Sequence, residues 1–384
     1  MVDQTVRVVS LADAPQGRIS ARMLIEDKCQ EIWFDAAGVQ LTQTANPFLA
    51  VTLLAAMATN HTLVVDGPVS PRLLQNVKRI QEIFHCWAGR FQIVPVEGDA
   101  VASSEEPQTV ACFFSGGLDS WYTLLKHQQE ITHLILVHGF DLNLHDEELR
   151  ARVGKALRGA AGQMGKQIVE VTTNLRELAN RYDNWTFYHG PALASVALLL
   201  SPNFKKIYIG STHDYSSLLP WGSHPVVDHL WSTETTELVH DGCEATRIAK
   251  ARQVAASEVA LSSLRVCWEN RDGAYNCGRC EKCLRTMINL LVAGALDRCP
   301  TFDRPLDPVS VADLDMTENN TRSFMIENIE GLRRVGGSPD LLKAMREAID
   351  RSQAKNAIAA LKAYGARRIA KKGAAAVAHK LGFK

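Results

Sequence analysis

Apolar positions along the chain change their rhythm near residue 104. Before it, "LIEDKCQEIWFD" has strand character, "PFLAVTLLAAMAT" is apolar all round and predicts a buried helix, and "HTLVVDG" predicts a short strand ending in a turn. "SPRLLQNVKRIQEIF" begins a helix with Ser70 as N-cap and Pro71 at its first position, and "FQIVP" closes this unit. "VEGDAVASSEEPQT" is polar, contains Gly and Pro and lacks periodicity, which predicts a linker. From Val110 the continuous apolar run "VACFF" and the strand-like runs "HLILVHG", "QIVEVTT" and "KKIYIGS" alternate with helical segments such as "DEELRARVGKALRGAAGQM" and "GPALASVALLL". That alternation predicts an α/β fold with a doubly wound parallel sheet covered on both faces. After Met287 the pattern is helical to the end. The expected organisation is an N-terminal α/β domain over 1–104, a central domain over 105–300 and a C-terminal helical region over 301–384.

Composition refines this picture. A chain of 384 residues can fill two or three cores, and 46% apolar with 22% charged residues places it among globular proteins. Lys plus Arg and Asp plus Glu each number 42, so overall charge gives no bias toward nucleic acid or membrane. The balance breaks only between Arg351 and Lys384, which hold nine basic and no acidic residues. Such a run reads as a solvated helix face, with RNA or an acidic partner as the alternative. The first twenty residues lack the apolar core of a secretory signal, and the longest apolar stretch, Phe48 to Met57, is too short to span a bilayer. A cytoplasmic protein without a membrane partner is expected. Nine cysteines in that setting argue for metal or redox chemistry over disulfides.

The sharpest local signal is "FFSGGLDSWYTLLKH", Phe113 to His127. Glycines where a buried strand becomes a helix let the backbone turn tightly and approach a ligand. The turn amides and the helix N-terminus form an anion site. Ser115, Gly116, Gly117, Leu118, Asp119 and Ser120 are therefore candidates to hold a nucleotide phosphate. Asp119 would repel phosphate directly and is expected to act through Mg²⁺ or the turn amides. His138, Gly139 and Asp141 follow the second strand and are candidates for the nucleotide pocket, or a polar loop cap. Cys112 is either a sulfur carrier or an inert core residue. The aromatics of "NWTFYHGP" either stack a flat substrate or fill the core.

A second signal is "CWENRDGAYNCGRCEKCLRT": Cys267, nine residues, Cys277, two, Cys280, two, Cys283. Two-residue gaps let successive sulfurs converge on one ion. Four thiolates match structural Zn²⁺, with an iron–sulfur cluster as the rival.

The SGGLDS stretch resembles the SGGxDS signature of the PP-loop ATP pyrophosphatase superfamily, whose members grip the pyrophosphate of ATP and pass AMP to a substrate oxygen. The cysteine pattern followed by Arg285 is similar to the zinc site of the 7-cyano-7-deazaguanine synthases, themselves PP-loop enzymes. "GSTHDYSS" and "TRIAK" match their segments too, so the resemblance runs from about Val110 to Leu291. It implies a PP-loop fold with a zinc knuckle, and ATP, Mg²⁺ and Zn²⁺ as cofactors. It implies catalytic roles for Asp119, Ser120 and Lys250, with Cys112 added if sulfur is transferred. Substrate contacts would come from His213, Asp214, Tyr215, Ser216 and Arg247. The segment after Ser216 departs from the family, so His224, Asp228 and Trp231 fall where substrate choice is set. A purine-like small molecule and an ammonia or sulfur donor follow from the resemblance; a homodimer is a separate expectation that the resemblance does not supply. A thiopurine-forming enzyme, a tRNA-thiolating enzyme and a silent nucleotide-binding protein are the competing outcomes.

Overall fold

The computed structural model describes residues 5–11, 17–104 and 106–358. Most of the basic tail lies outside the described residues. The chain opens with strands β1 (Thr5–Leu11), β2 (Arg18–Ile25) and β3 (Lys28–Asp35), then helix α1 (Asn46–Thr59), β4 (Thr62–Val69), α2 (Pro71–Trp87) and β5 (Val96–Ala100). It continues with β6 (Thr109–Phe113), α3 (Leu118–Lys126), β7 (His133–His138), α4 (Glu147–Gln163), β8 (Gln167–Thr173), α5 (Leu175–Tyr182), α6 (Trp185–Leu199), β9 (Phe204–Gly210) and β10 (Glu237–Asp241). Helices α7 (Arg247–Ala255), α8 (Glu258–Ser263), α9 (Glu281–Val292), α10 (Pro308–Ala312) and α11 (Asn319–Arg334) follow, and a further helix occupies 339–358. Among the described residues no helix is long and apolar enough to cross a membrane.

Among the described residues ten strands join one sheet in the order β10-β9-β6-β7-β8-β3-β2-β1-β4-β5. The five strands from β10 to β8 are mutually parallel, as the apolar runs predict. Both faces are covered: along β6, Ala111 and Phe113 enter one core while Val110 and Cys112 enter the other. Period-two alternation on a sheet buried on both sides leaves no polar face, which is why these strands read as continuous apolar runs.

The expected boundary at residue 104 is not a break in the sheet. β3 pairs antiparallel with β8 through Phe34↔Thr173 and Asp35↔Thr172. The Trp33 amide donates to Asn174 Oδ1 at 3.1 Å, and Thr173 Oγ1 donates to the Trp33 carbonyl at 2.7 Å. One core also runs across the boundary, joining Leu49, Leu53 and Phe84 to Val171, Val196 and Ile207. The first hundred residues thus extend the central sheet by a second set of strands.

One local expectation shifts: the expected linker opens with the edge strand β5, whose pairing begins at Val96 just after Gln81 takes up both polar groups of Val94 (2.8 and 3.1 Å). Ser70 does cap α2, accepting from the Leu73 amide at 3.1 Å.

Candidate functional site

The strand order reverses at β6: the chain moves to β7 on one side and later returns with β9 on the other. In open α/β sheets such a reversal leaves a crevice beyond the strand C-termini. The Ser115–Gly117 turn lies there. Gly116 has φ of +75°, a left-handed conformation that favours glycine. Its carbonyl accepts from the Arg265 amide at 2.8 Å, which pins the turn. Gly117 is the N-cap of α3 and carries no side-chain cap, so the first-turn amides of α3 are not taken by a capping side chain. Gly210, ending β9, comes so close that a Cβ there would stand 2.9 Å from the Asp119 carbonyl.

A cavity of about 1020 Å³ opens from this turn, with Ser115, Asp119 and Ser120 at one end. Ile135, Val137 and Phe140 supply an apolar wall, while Trp185, His189 and Trp221 supply an aromatic one. Arg279, Cys280 and Lys282 bring the cysteine knuckle to its rim.

Two cations converge on one carboxylate, and a third, Arg285, pairs beside them with Glu281 at 3.2 Å. Arg247 Nη1 stands 3.1 Å and Lys250 Nζ 3.4 Å from Asp119, although 128 and 131 residues separate them. Lys250 is fully buried and also donates to the Ser211 carbonyl at 2.5 Å. Burial alone would raise the Asp119 pKa, but Arg247 and Lys250 more than offset it and hold the group below the usual carboxylate range. Arg285 lies nearby: burial pushes its pKa down to about 10, Glu281 opposes this and Arg247 reinforces it. The Nε atoms of Arg247 and Arg285 are buried without a hydrogen-bond partner. A surplus of buried positive charge over negative suits an anionic ligand.

Other candidates fall elsewhere. Leu118 is buried in the core, so only its backbone faces the turn. Ser120 Oγ donates back to the Gly117 carbonyl at 3.0 Å. Cys112 points into the core and does not line the cavity, and burial raises its pKa strongly, so its thiol is neutral and enclosed. His138 turns from the cavity to pair with Glu170 at 2.8 Å. Gly139 (φ +99°) is required by packing, since a Cβ would stand 2.0 Å from the Thr173 carbonyl. The cavity is reached instead by their neighbours Val137, Phe140 and Asp141.

Asp214, Tyr215 and Ser216 do not line the cavity either. The Asp214 carboxylate accepts from the Ser216 amide and hydroxyl at 2.8 and 2.5 Å, closing its own turn, and Tyr215 is exposed. His213 stacks on Phe324 of α11 (5.0 Å, 17°); burial pushes its pKa down to about 4, with Arg247 reinforcing the shift. Of the aromatics in "NWTFYHGP", Trp185 and His189 face the cavity, whereas Phe187 packs on Phe84 and Phe91 and Tyr188 is fully buried. The core reading holds for Phe187 and Tyr188, while Trp185 and His189 line the cavity from another helix face.

In the divergent segment only Trp221 and Ser223 reach the cavity; Trp231 is core and His224 packs on Trp87. Asp228 organises this loop: Ser223 Oγ and the His224 amide donate to it at 2.6 and 3.1 Å, and His240 lies 2.8 Å away. Burial alone would lower the His240 pKa, but the Asp228 hydrogen bond more than offsets it and raises it from 6.5 to about 9. A pKa higher in the folded than the unfolded state stabilises fully below the unfolded value. That stabilisation is lost as pH rises toward the folded value. Stability should therefore fall between pH 6.5 and 9, by as much as about 3 kcal/mol from this pair. Urea unfolding across that window checks this, and Asp228→Asn should flatten the slope.

Cys267, Cys277, Cys280 and Cys283 are all buried, with their sulfurs within 4.8 Å of one another. The Cys267–Cys280 and Cys277–Cys283 separations are 3.9 and 4.0 Å. Ligands at about 2.3 Å around a tetrahedral ion stand about 3.8 Å apart, so the cluster fits a metal such as zinc. The second layer is present: Asn276 Oδ1 accepts from the Val266 and Cys267 amides, and the Asn270 amide donates to the Cys267 sulfur at 3.3 Å. Gly278 (φ +65°) makes the bend between ligands.

Sequence reasoning missed Arg176, Arg265 and Phe324, which also line the cavity. Arg176 lies over the Trp185 ring at 4.4 Å. None belongs to a local motif; tertiary contacts alone bring them in. Comparison with models of protein families, with curated proteins and with solved structures finds no match for this chain.

Proposed function

We propose that the chain binds ATP at the Ser115–Ser120 turn and transfers AMP to a carbonyl or carboxylate oxygen of a small, planar, purine-like acceptor. The observation that carries this reading is the position of the SGGLDS turn at the sheet's reversal point. It opens into the large cavity, where Asp119 lies in the lining with Arg247 and Lys250 buried behind its carboxylate. The resemblance of that turn to PP-loop enzymes supplies the reaction class; the purine-like acceptor rests on the deazaguanine-synthase resemblance together with the aromatic wall.

In this reading the acceptor oxygen attacks the α-phosphorus and pyrophosphate leaves. Charge grows on the departing diphosphate, where Arg285 and the first amides of α3 would face it and Arg247 and Lys250 would add positive charge from behind Asp119. Mg²⁺, when bound with the nucleotide, would shield phosphate charge, and Asp119 is the carboxylate nearest the turn. Trp185, Trp221 and His189 would orient the acceptor ring, which converts a bimolecular attack into a positioned one. An amine or a sulfur nucleophile then displaces AMP. Enclosure of Cys112 favours a nucleophile that arrives from solution. A zinc ion held by four thiolates has no open position, so its role would be to hold the rim formed by Arg279 to Lys282.

The test is pyrophosphate release on adding ATP with purines, deazapurine carboxylates or tRNA, each with ammonia or sulfide. Release that depends on a small heterocycle supports the proposal, and release only with tRNA replaces the acceptor by RNA. No release and no ATP binding overturns it. Cys112→Ala should keep turnover within about twofold and cost about 1 kcal/mol of stability, as expected for trimming a small buried side chain. Loss of turnover with intact folding would return sulfur relay to that residue.

A further inference from the structure

The C-terminal helical region contributes one aromatic ring to the charged end of the cavity. Phe324 of α11 lines the cavity yet is only 5% exposed. The Arg285 guanidinium lies 4.2 Å and that of Arg247 5.3 Å from its centroid. His213 stacks on it at 5.0 Å, with Trp221 edge-on to His213 at 5.7 Å. The helix bearing Phe324 is fixed independently. Glu327 Oε1 accepts from the Ile248 amide at 2.8 Å, one residue beyond Arg247, and Asn328 Nδ2 donates to the Arg285 carbonyl at 3.4 Å. α11 is thereby tied to both backbone segments that carry the two arginines.

Two guanidinium ions and Lys250 share two carboxylates, Asp119 for Arg247 and Lys250 and Glu281 for Arg285 at 3.2 Å, so one positive charge is left over and the cations repel one another. Before an anionic ligand arrives, something other than a further counter-charge must hold that surplus in place. The electron-rich face of an aromatic ring does this without neutralising them. A carboxylate in the same place would cancel the charge the site needs. The backing histidine carries no charge near neutral pH, because burial keeps its pKa near 4.

We infer that Phe324 is a positioning residue: its ring gathers the Arg247 and Arg285 guanidinium groups beside the Ser115–Ser120 turn, so that α11 completes the polyanion-binding end of the cavity. This deepens, and for its ligand rests on, the reading of that turn as a nucleotide site. It also gives the helical region after residue 301 a part in the site that its sequence does not advertise.

The experiment compares wild type with Phe324→Leu, which keeps an apolar side chain but loses the ring, and Phe324→Trp, which restores one. Titration with ATP and with inorganic pyrophosphate should show affinity falling about tenfold in the leucine variant, from two lost cation–π contacts. The tryptophan variant should recover most of it. In turnover the loss should appear in the ATP KM more than in kcat. Unchanged pyrophosphate and ATP affinity in Phe324→Leu would overturn the inference. So would a loss that tryptophan does not rescue, since that marks a merely structural role. A second readout needs no nucleotide: phenylglyoxal adducts mapped by mass spectrometry on the free protein. Arg247 and Arg285 should react several-fold faster in Phe324→Leu than in wild type, and equal rates overturn the inference. If wild-type protein binds neither ATP nor pyrophosphate, the nucleotide reading fails, and the adduct rates still decide the role of Phe324. Phe324→Met serves the same comparison should the leucine variant fail to fold.

Discussion

Asp119→Asn is expected to lower pyrophosphate release at least about a hundredfold. The substitution keeps the shape of the side chain and removes the one charge that Arg247 and Lys250 share at 3.1 and 3.4 Å. Arg247 and Lys250 then lack their common partner, and repulsion among them and Arg285 displaces the cations from their positions behind the turn. A misplacement of about 1 Å near a reacting group is enough to cost about a hundredfold in rate. Stability should fall as well. Removing one member of a buried pair costs about 3–5 kcal/mol, and the 22% exposure of the Asp119 side chain places the expected loss at the lower end. The same pair makes the protein acid-sensitive. Its contribution is present above the unfolded carboxylate pKa of 3.8 and disappears as pH falls through the lower folded value. Pyrophosphate assays beside thermal unfolding separate the two effects. A variant that is less stable but turns over normally when folded would show that Asp119 only holds the fold together.

Such a role was half legible in the sequence. The Gly-Gly turn announces itself because the chain must change direction within three residues, and glycine is favoured at Gly116, where φ is +75° and a Cβ would stand 2.7 Å from Leu157 Cδ2. The four cysteines announce themselves because their ligand spacing is local. The partners of Asp119 do not, since Arg247 and Lys250 lie well over a hundred residues away and are ordinary helix residues by pattern. Phe324 is further still, one apolar position on a helix without any chemical signature. The Asp-Tyr-Ser segment was legible as a turn after β9, but its direction was not. Asp214 spends its oxygens on its own turn, and that competition between local and ligand hydrogen bonds is decided by backbone geometry alone. The union of the N-terminal strands with the central sheet was hidden for a similar reason. It rests on two residue pairs between β3 and β8 and on a shared core, neither of which leaves a mark on the hydrophobic pattern.

Chelation at the cysteine cluster is expected to give the largest change in stability. One metal per chain should be found by elemental analysis, and zinc is the ion the geometry favours, with an iron–sulfur cluster separable by its visible absorption. The four sulfurs sit 3.9 and 4.0 Å apart in the two hydrogen-bonded pairs, inside a small cluster whose other apolar contacts are only Val266, Ala274 and Phe302. So few carbon contacts cannot hold the 267–283 loop closed without the ion. Zinc binding to such thiolate sets contributes on the order of 10 kcal/mol to folding. Here the loop is anchored at both ends, by Asn276 to the Leu264 and Thr301 carbonyls and by Arg265 to the Gly116 carbonyl. Metal loss should therefore loosen the knuckle first and the nucleotide turn second, because the Arg265 amide that pins Gly116 lies two residues before Cys267. Cys283→Ser should show this as loss of the metal, proteolysis within 267–283 and a fall in ATP affinity together. If the metal-free protein instead keeps its melting temperature and its ATP affinity, the knuckle carries no weight in the site, and the cysteines must be explained by other chemistry.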